Sequence, residues 1–233
     1  MGPHGPLAER VWSSGRTRLA SYVGDGGRSV IRHIAFGCAV LSLLVLAVAT
    51  VAGGMAYPGY DHLTQYISEL GATGAPTSRG VSIAFMVSGA LLAAFWLLCA
   101  GLFPRSLLSI LGFSLSALNG VGLLLGGEFR CDFECSTADL GPAAVLHDVF
   151  GGIGYLCGIV GVFLVGIAAR GWPQGRGLFG LSLICGIPAA LAIWLIHPDF
   201  QWYGAAQRVV EIALALWTVA VALRVRTSTL RTP

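Results

Sequence analysis

The pattern of apolar and polar positions divides most of the chain into long apolar segments joined by short polar connections. The six segments cover about 33–56, 81–103, 107–126, 147–169, 177–197 and 205–223. Each is long enough to cross a hydrocarbon core of roughly 30 Å as a helix that rises about 1.5 Å per residue. Because these runs lack the alternation of a membrane β-barrel, we predict an all-α bundle of six transmembrane helices.

Composition supports a membrane protein and excludes a water-soluble one. Hydrophobic residues make up 55% of the 233 positions and charged residues only 11%, whereas soluble domains have roughly 25% charged residues. Six spans use nearly the whole length, so no room is left for a soluble catalytic domain. We therefore expect the chain to act in or at a lipid bilayer, with no nucleic-acid partner.

The few charges are divided unequally between the two sides of the predicted bundle. All 14 basic residues are arginine, and 11 of them fall in the chain ends and in two short connections, whereas nine of the 11 acidic residues fall on the opposite side. The positive-inside rule then places both termini of this cell-membrane protein in the cytoplasm. We predict a disordered leader over 1–32, a transmembrane domain over 33–226 and a cytoplasmic tail over 227–233.

The last apolar segment carries charges at membrane depth. The stretch from Glu211 to Arg224 spans only about 18 Å as a helix, so the helix must begin near Gly204. This start places Gln207, Arg208 and Glu211 inside the outer half of the bilayer. An embedded carboxylate costs roughly 2.5–3.5 kcal/mol and needs a partner. Either Arg208 and Glu211 form a local ion pair, or they face a ligand.

Two further helices carry polar residues, Asn119 at a similar depth and His147 at the outer boundary. Asn119 is either an interhelical hydrogen-bonding residue or a partner of Glu211. His147 lies above a seam of glycines, a pattern that lets another helix approach closely. The seam consists of Gly151, Gly154, Gly158 and Gly161. We expect His147 to point inward at the outer boundary, as a packed interface residue or as a functional group.

The first outer connection, 57–71, has the pattern of a short amphipathic helix. Asp61 is a suitable N-cap and Gly71 a suitable terminator. The predicted polar face carries His62, Gln65 and Glu69, with Ser68 beside it. The helix either lies on the lipid headgroups or forms a lid over the mouth of the bundle.

The other outer connections add cysteines, acids and a histidine. Cys131 and Cys135 are close enough in sequence to form a small disulfide in an oxidising compartment. A single C-x3-C pair is weak evidence for zinc. His197 lies in the third connection, so His62, His147 and His197 are all predicted on one side, and zinc is a possible cofactor there.

Three motifs carry a resemblance to a known family. They are the segment Tyr60 to Gly71 ending in Ile-Ser-Glu-Leu-Gly, the stretch Gly-Glu-Phe-Arg-Cys-Asp-Phe-Glu-Cys followed by Leu146-His147, and Gly204-Ala-Ala-Gln-Arg208. In this order they resemble the six-helix prokaryotic membrane family catalogued as domain of unknown function nine-nine-eight. The resemblance covers about residues 33–226 and implies the six-span fold, but it implies no reaction.

A more distant similarity of residue types concerns membrane hydrolases related to alkaline ceramidases and adiponectin receptors. Their zinc is held by three histidines, with an aspartate and a serine nearby. His62, His147, His197, Asp132 and Ser68 provide those residue types here. The chain differs in having six predicted spans and no H-x-x-x-H pair in its last helix, so the similarity is one of chemistry only.

Three functions remain open from the sequence. The first is an enzyme, such as a metal-dependent hydrolase, that acts on a lipid or lipid-linked substrate at the outer leaflet. The others are a noncatalytic scaffold or sensor and a transporter of a small solute or protons. The candidate catalytic residues are His147, Glu211, Arg208 and Asp132, and the candidate substrate-binding residues are Asn119, Ser68, Glu69 and Gln207. Phosphate-binding loops, dinucleotide fingerprints, nucleophile elbows and H-E-x-x-H motifs are absent.

Overall fold

A computed structural model describes residues 6–136, 138, 140–173 and 175–227, with side chains from residue 26 onward. The described residues are all-α, with six α-helices and three short 3-10 helices. The α-helices are α1 (Pro6–Ala56), α2 (Ser78–Leu102), α3 (Leu107–Glu128), α4 (Pro142–Ala169), α5 (Arg176–Ala192) and α6 (Tyr203–Thr227). The 3-10 helices are Ser68–Gly71, Phe133–Cys135 and Ile193–Leu195.

Five helices are long and apolar enough to cross a membrane. They are Gly26–Ala56, Ser78–Leu102, Leu107–Glu128, Pro142–Ala169 and Arg176–Leu195. Helix α6 has 25 residues but is not among these five, so its crossing stays a prediction. The multi-pass helical architecture agrees with the sequence pattern.

Parts of both chain ends lie outside the described residues. Helix α1 continues back to Pro6, through most of the segment 1–32, and the assignment of that segment to a separate disordered leader stays a prediction. The predicted tail, 227–233, lies outside the described residues except for Thr227. Asp139, one of the acids counted on the outer side, also lies outside them.

The six helices form a closed ring in sequence order. Each helix packs against the next, and α1 packs against α6 to complete the ring. Residues 57–77, 129–141 and 196–202 connect helices at one end of the bundle, which we call the loop end. The connections 103–106 and 170–175 lie at the opposite end, which we call the arginine end.

Small residues bring α3 and α4 into close contact. A Cβ atom on Gly154 would lie 3.1 Å from Cα of Gly122, and one on Gly158 would lie 3.0 Å from Cγ of Asn119. Gly161 faces Ser116 in the same way. These three glycines of the predicted seam therefore pack against protein, whereas a Cβ on Gly151 would meet nothing within 4 Å.

Large aromatic side chains fill the bundle towards the arginine end. The ring of Phe103 lies 5.3 Å from that of Phe113 and 5.0 Å from that of Trp172. Phe95 and Trp217 are fully buried in the same core. Because the packed aromatic core lies there, the space left between the helices is found nearer the loop end.

Candidate functional site

The first connection, residues 57–77, closes the loop end, and we call it the cap segment. The amphipathic α-helix predicted here is replaced by successive turns and the 3-10 helix Ser68–Gly71. Asp61 accepts a hydrogen bond from the N–H of Leu63 (2.8 Å), which closes a local turn. The Tyr60 hydroxyl donates to the carbonyl of Tyr66 (2.7 Å). The cap segment is therefore held by its own polar groups rather than by a helical ladder.

Glu69 lies inside the cap segment rather than on a water-facing polar surface. Its side chain is only 2% exposed. One carboxylate oxygen accepts from the N–H of Tyr66 (2.8 Å) and the other from Nε2 of Gln65 (2.7 Å). Burial raises the pKa of the Glu69 carboxyl above its usual range, and these two hydrogen bonds oppose the shift. The Glu69 side chain therefore links Gln65 and Tyr66 within the cap segment.

The first residues of α6, Gly204–Arg208, fasten the cap segment to the bundle, and we call them the anchor. The N–H of Ala205 donates to the carbonyl of Leu63 (2.9 Å), so a free N–H at the helix start finds a partner. Gly204 lies directly against the backbone of Gln65, where a Cβ atom would clash. Oε1 of Gln207 accepts from the N–H of Ile67 (2.6 Å).

Arg208 completes the anchor. Its guanidinium donates to the carbonyls of Gln65 and Gly204 (both 2.9 Å). It also donates to the hydroxyl of Tyr60 (2.6 Å) and to Nδ1 of His62 (3.0 Å). The candidate catalytic arginine is therefore fully engaged by structural partners.

Of the two alternatives for Arg208 and Glu211, the structure does not show the local ion pair. Both residues are described, and their charged atoms form no ion pair within 4 Å; Glu211 Oε1 instead accepts from the hydroxyl of Tyr155 (2.6 Å). The long arginine side chain reaches back to the cap segment, whereas the shorter glutamate stays at its own level. Nε2 of Gln207 donates to the same hydroxyl (3.1 Å). Tyr155 thus links α4 to two positions of α6.

Five of the predicted site residues line one central cavity beneath the cap segment. The cavity has a volume of about 80 Å³, enough for several water molecules. Its polar lining is provided by Ser42, Ser68, Asn119, His147, Tyr155, Gln207, Glu211 and Thr218. Leucines of α1, α2, α3 and α6 form much of the remaining wall. The cavity is thus polar near the cap segment and largely apolar deeper in the bundle.

His147 has a fixed orientation in the cavity wall. Its Nδ1 lies 2.9 Å from the carbonyl oxygen of Gly126 and 2.8 Å from that of Phe129. Because both partners are acceptors, Nδ1 carries the proton, and in the neutral ring Nε2 carries the lone pair. Within the described part of the chain, Nε2 has no hydrogen-bond partner. It is therefore available to accept a proton or to bind a metal.

Two further polar groups in the cavity wall have no hydrogen-bond partner among the described residues. Among the described residues, neither the side-chain amide of Asn119 nor the second carboxylate oxygen of Glu211 has a hydrogen-bond partner. Both residues are partly exposed and line the cavity. Buried polar groups normally find partners, so these atoms are positioned to bind water or a ligand.

A second cavity, which we call the vestibule, adjoins the central one. It has a volume of about 340 Å³, within the roughly 300–1,000 Å³ of typical ligand pockets. The two cavities share Ser68, His147, Gly151, Tyr155 and Gln207. The vestibule adds polar groups from Tyr66 and Asp148 and apolar ones from Ile193, Ile196 and Pro198. Because they share a wall, we treat the two cavities as one site. Its outer part, the vestibule, has both polar and apolar lining residues.

The remaining predicted site residues lie elsewhere. Asp132 accepts from the N–H of Gly141 (3.0 Å) and so shapes the second connection. Nδ1 of His197 lies 3.6 Å from a carboxylate oxygen of Asp199, and about half of its side chain is exposed. Among the described residues, neither His62 nor His197 shares a group of possible metal ligands with His147, so the three histidines proposed as zinc ligands do not form a common group.

The two cysteines of the second connection lie beside the vestibule. They form the disulfide Cys131–Cys135, and Sγ of Cys135 is 3.4 Å from the hydroxyl of Ser68. The N–H of Thr73 donates to the carbonyl of Cys131 (2.9 Å). The second connection is therefore joined to the cap segment, with its disulfide next to His147.

Sequence reasoning missed Tyr155, the residue that joins the two helices at the site. A signal for it was present, because Tyr155 follows His147 by eight residues and so lies on the same helix face. Its hydroxyl reaches Glu211 on α6 (2.6 Å).

No curated protein and no solved structure matches the chain. The family model described as "Protein of unknown function (DUF998)" matches residues 39–224, which include the cap segment, the glycine seam, both cavities and the anchor. The chain therefore belongs to the DUF998 family.

Proposed function

We propose that the chain is a six-span membrane enzyme that hydrolyses an amphiphilic substrate at its loop end. In this proposal α6 is the sixth span and the loop end faces outward, with both termini in the cytoplasm of a cell-membrane protein. The arginines of the opposite end and the acids of the loop end support this orientation. The 25 residues of α6 extend over roughly 37 Å, which exceeds a hydrocarbon core of about 30 Å.

The observation that carries the proposal is the convergence of His147 and Glu211 in one cavity wall. Nε2 of His147 is free, and its ring is oriented by two carbonyls. Glu211 shares a short hydrogen bond with Tyr155. A base and an acidic pair that face the same cavity are the groups that general acid–base hydrolysis needs. Such catalysis raises the rate of a reaction by roughly 100- to 10,000-fold.

Each polar group has a role in such a reaction. His147 takes a proton from a water molecule in the cavity through Nε2. The amide of Asn119 donates a hydrogen bond to the substrate oxygen on which negative charge develops. The proton between Tyr155 and Glu211 passes to the leaving group. Return of the proton from Nε2 of His147 to the Tyr155–Glu211 pair then restores both groups, so the cycle consumes one water molecule and no other reactant.

The charges of the lining favour a substrate with an ammonium group. Asp148 and Glu211 are the carboxylates of the two cavities, and their linings contain no arginine. An anionic phosphate head normally requires a basic partner. Arg208, the arginine of the anchor, donates its hydrogen bonds to the cap segment and does not line either cavity. A zwitterionic or cationic head therefore fits better than an anionic one.

The vestibule supports an amphiphilic rather than a fully polar substrate. One part of its lining carries Tyr66, Ser68 and Asp148, and another carries Ile193, Ile196 and Pro198. A polar head would contact the first part, while hydrocarbon would contact the second and continue into the bilayer.

The test is lipid turnover in nanodiscs. Purified protein is reconstituted with phosphatidylethanolamine or with phosphatidylglycerol, and products are measured by mass spectrometry. We expect products from the ethanolamine lipid and a loss of at least roughly 100-fold in His147→Gln. His197→Gln is the matched control, because that histidine is outside both cavities and should leave turnover unchanged. Equal turnover in the two variants, or no product from either lipid with folded protein, contradicts the enzyme proposal.

A specific observation also favours the noncatalytic alternative. Arg208, Gln207 and Glu69, three of the eight candidate site residues, all have structural partners in the cap segment. A scaffold or sensor would need only this rigid end. In that case His147→Gln lowers the melting temperature without changing any product.

A further inference from the structure

The second connection brings two sulfur atoms close to the imidazole ring of His147. The metal-ligating atoms of Cys131, Cys135 and His147 all lie within 4.8 Å of one another. Among the described residues this is the only group of three or more His, Cys, Asp or Glu side chains so placed. Two thiolates and an imidazole are a preferred ligand set for zinc. In the disulfide form, however, the sulfurs are bonded to each other and are not thiolates.

We propose that reduction of this disulfide creates a zinc site formed by Cys131, Cys135 and His147. A dithiol reductant transfers two electrons and two protons to the disulfide and is itself oxidised to a disulfide. Zinc then binds the two cysteines as thiolates and releases their two protons. The two cysteines are thus either joined in the disulfide or bound, together with His147, to zinc.

The orientation of His147 matches that of a metal ligand. Metal-bound histidines almost always donate their other ring N–H to a carbonyl or a carboxylate. Here Nδ1 donates to the carbonyls of Gly126 and Phe129, which leaves Nε2 for the metal. Ligand atoms in a tetrahedral zinc site are roughly 3.5 Å apart, given bond lengths of about 2.0–2.3 Å, so the observed grouping needs only a small rearrangement.

The fourth coordination position would face the vestibule. Cys135 and His147 both line that cavity, and the hydroxyl of Ser68 lies 3.4 Å from Sγ of Cys135. Three protein ligands with one position open to a cavity are typical of catalytic zinc sites, whereas structural sites have four protein ligands. The remaining position would therefore take water or the Ser68 hydroxyl.

The inference goes beyond the proposed hydrolysis, because the metal and the proton compete for the same nitrogen. In the disulfide form Nε2 of His147 is a free base. In the zinc form it is a ligand and has no lone pair to offer. The redox state of Cys131 and Cys135 would therefore decide whether the site holds a base or a metal.

The test uses Co²⁺ and Zn²⁺ as probes on the full chain in detergent. Protein is reduced with a dithiol, desalted without oxygen and titrated with Co²⁺, whose thiolate complexes absorb in the near ultraviolet. We expect one bound ion per chain in the reduced wild type, displaced by Zn²⁺, and none in the oxidised protein. His147→Gln should weaken binding by at least roughly 10-fold, whereas His197→Gln should leave it unchanged.

A double variant, Cys131→Ser with Cys135→Ser, separates this site from the four free cysteines, Cys38, Cys99, Cys157 and Cys185. We expect the thiolate–cobalt absorption to disappear in it. Absorption that persists in the double variant, equal binding by oxidised protein, or no binding by reduced protein overturns the zinc site. None of these readouts depends on lipid turnover, so the zinc site and the proposed hydrolysis can fail separately.

Discussion

The anchor and the cavity wall meet in α6, where Arg208 and Glu211 are three residues apart, yet they use their polar groups in opposite ways. In the anchor, Gln207 and Arg208 donate to or accept from backbone groups of the cap segment. In the cavity wall, Nε2 of His147, the amide of Asn119 and one oxygen of Glu211 have no partner among the described residues. Polar groups that are fully paired maintain structure, whereas unpaired groups in a cavity are available for binding.

A large effect on stability is expected at the close approach in the anchor. Gly204→Ala would place a methyl group against the backbone of Gln65, and such overpacking costs roughly 1–3 kcal/mol in the free energy of unfolding. The measurement is the melting temperature of the detergent-solubilised protein.

Gly180→Ala is the matched control for this substitution. Gly180 lies in α5, and a Cβ there meets no atom within 4 Å. Because alanine favours helix over glycine by roughly 1 kcal/mol, its melting temperature should rise or stay unchanged. Equal losses in the two variants would show that the anchor contact is not special.

A pH-dependent effect is expected from Glu69, in the cap segment that the anchor holds. Its pKa in the folded protein is raised by burial, so the folded state binds the proton more tightly than the unfolded state does. Its contribution to stability is therefore present below the unfolded pKa, near 4.3, and is lost as pH rises through the folded value. We therefore expect the melting temperature of the wild type to fall as pH rises through this range, and Glu69→Gln should reduce that fall. An identical pH profile in wild type and variant would contradict the assignment.

The smallest effect on stability is expected in the cavity wall. Asn119→Ala removes an amide that has no partner among the described residues, so we expect a change within roughly 0.5 kcal/mol. Ser88→Ala provides a contrast, because Ser88 and Ser42 exchange hydrogen bonds between α1 and α2 (2.9 and 3.0 Å). Such interhelical bonds contribute roughly 0.6 kcal/mol or more. A larger loss in Asn119→Ala than in Ser88→Ala would show that Asn119 is structural.

Much of the architecture and part of the site could be predicted from sequence. Long apolar runs predicted the helices, and counting along α3 and α6 placed Asn119 and Glu211 at a similar depth, with His147 of α4 at the outer boundary above them. This worked because helical rise is constant. The structure brings these three residues to one cavity.

The features that could not be predicted from the sequence depend on the directions of side chains and on irregular backbone. The i, i+3 spacing left a pairing of Arg208 with Glu211 open as one of two alternatives, but the guanidinium finds several acceptors in the cap segment instead. The amphipathic pattern of residues 57–71 suggested an α-helix, and the contacts with the anchor hold turns there. Such choices are made by tertiary contacts that a periodic pattern does not contain.

The central claim is that Arg208 maintains the fold whereas Glu211 serves the site, although only three residues separate them. Its most direct test is to measure unfolding and lipid turnover on the same preparations of Arg208→Gln and Glu211→Gln. We predict that Arg208→Gln loses roughly 2 kcal/mol or more of stability and keeps its turnover per folded molecule. Glu211→Gln should keep its melting temperature and lose at least roughly 100-fold in turnover of phosphatidylethanolamine. The reverse pattern, or a Glu211→Gln variant that is destabilised but fully active when folded, would contradict the account.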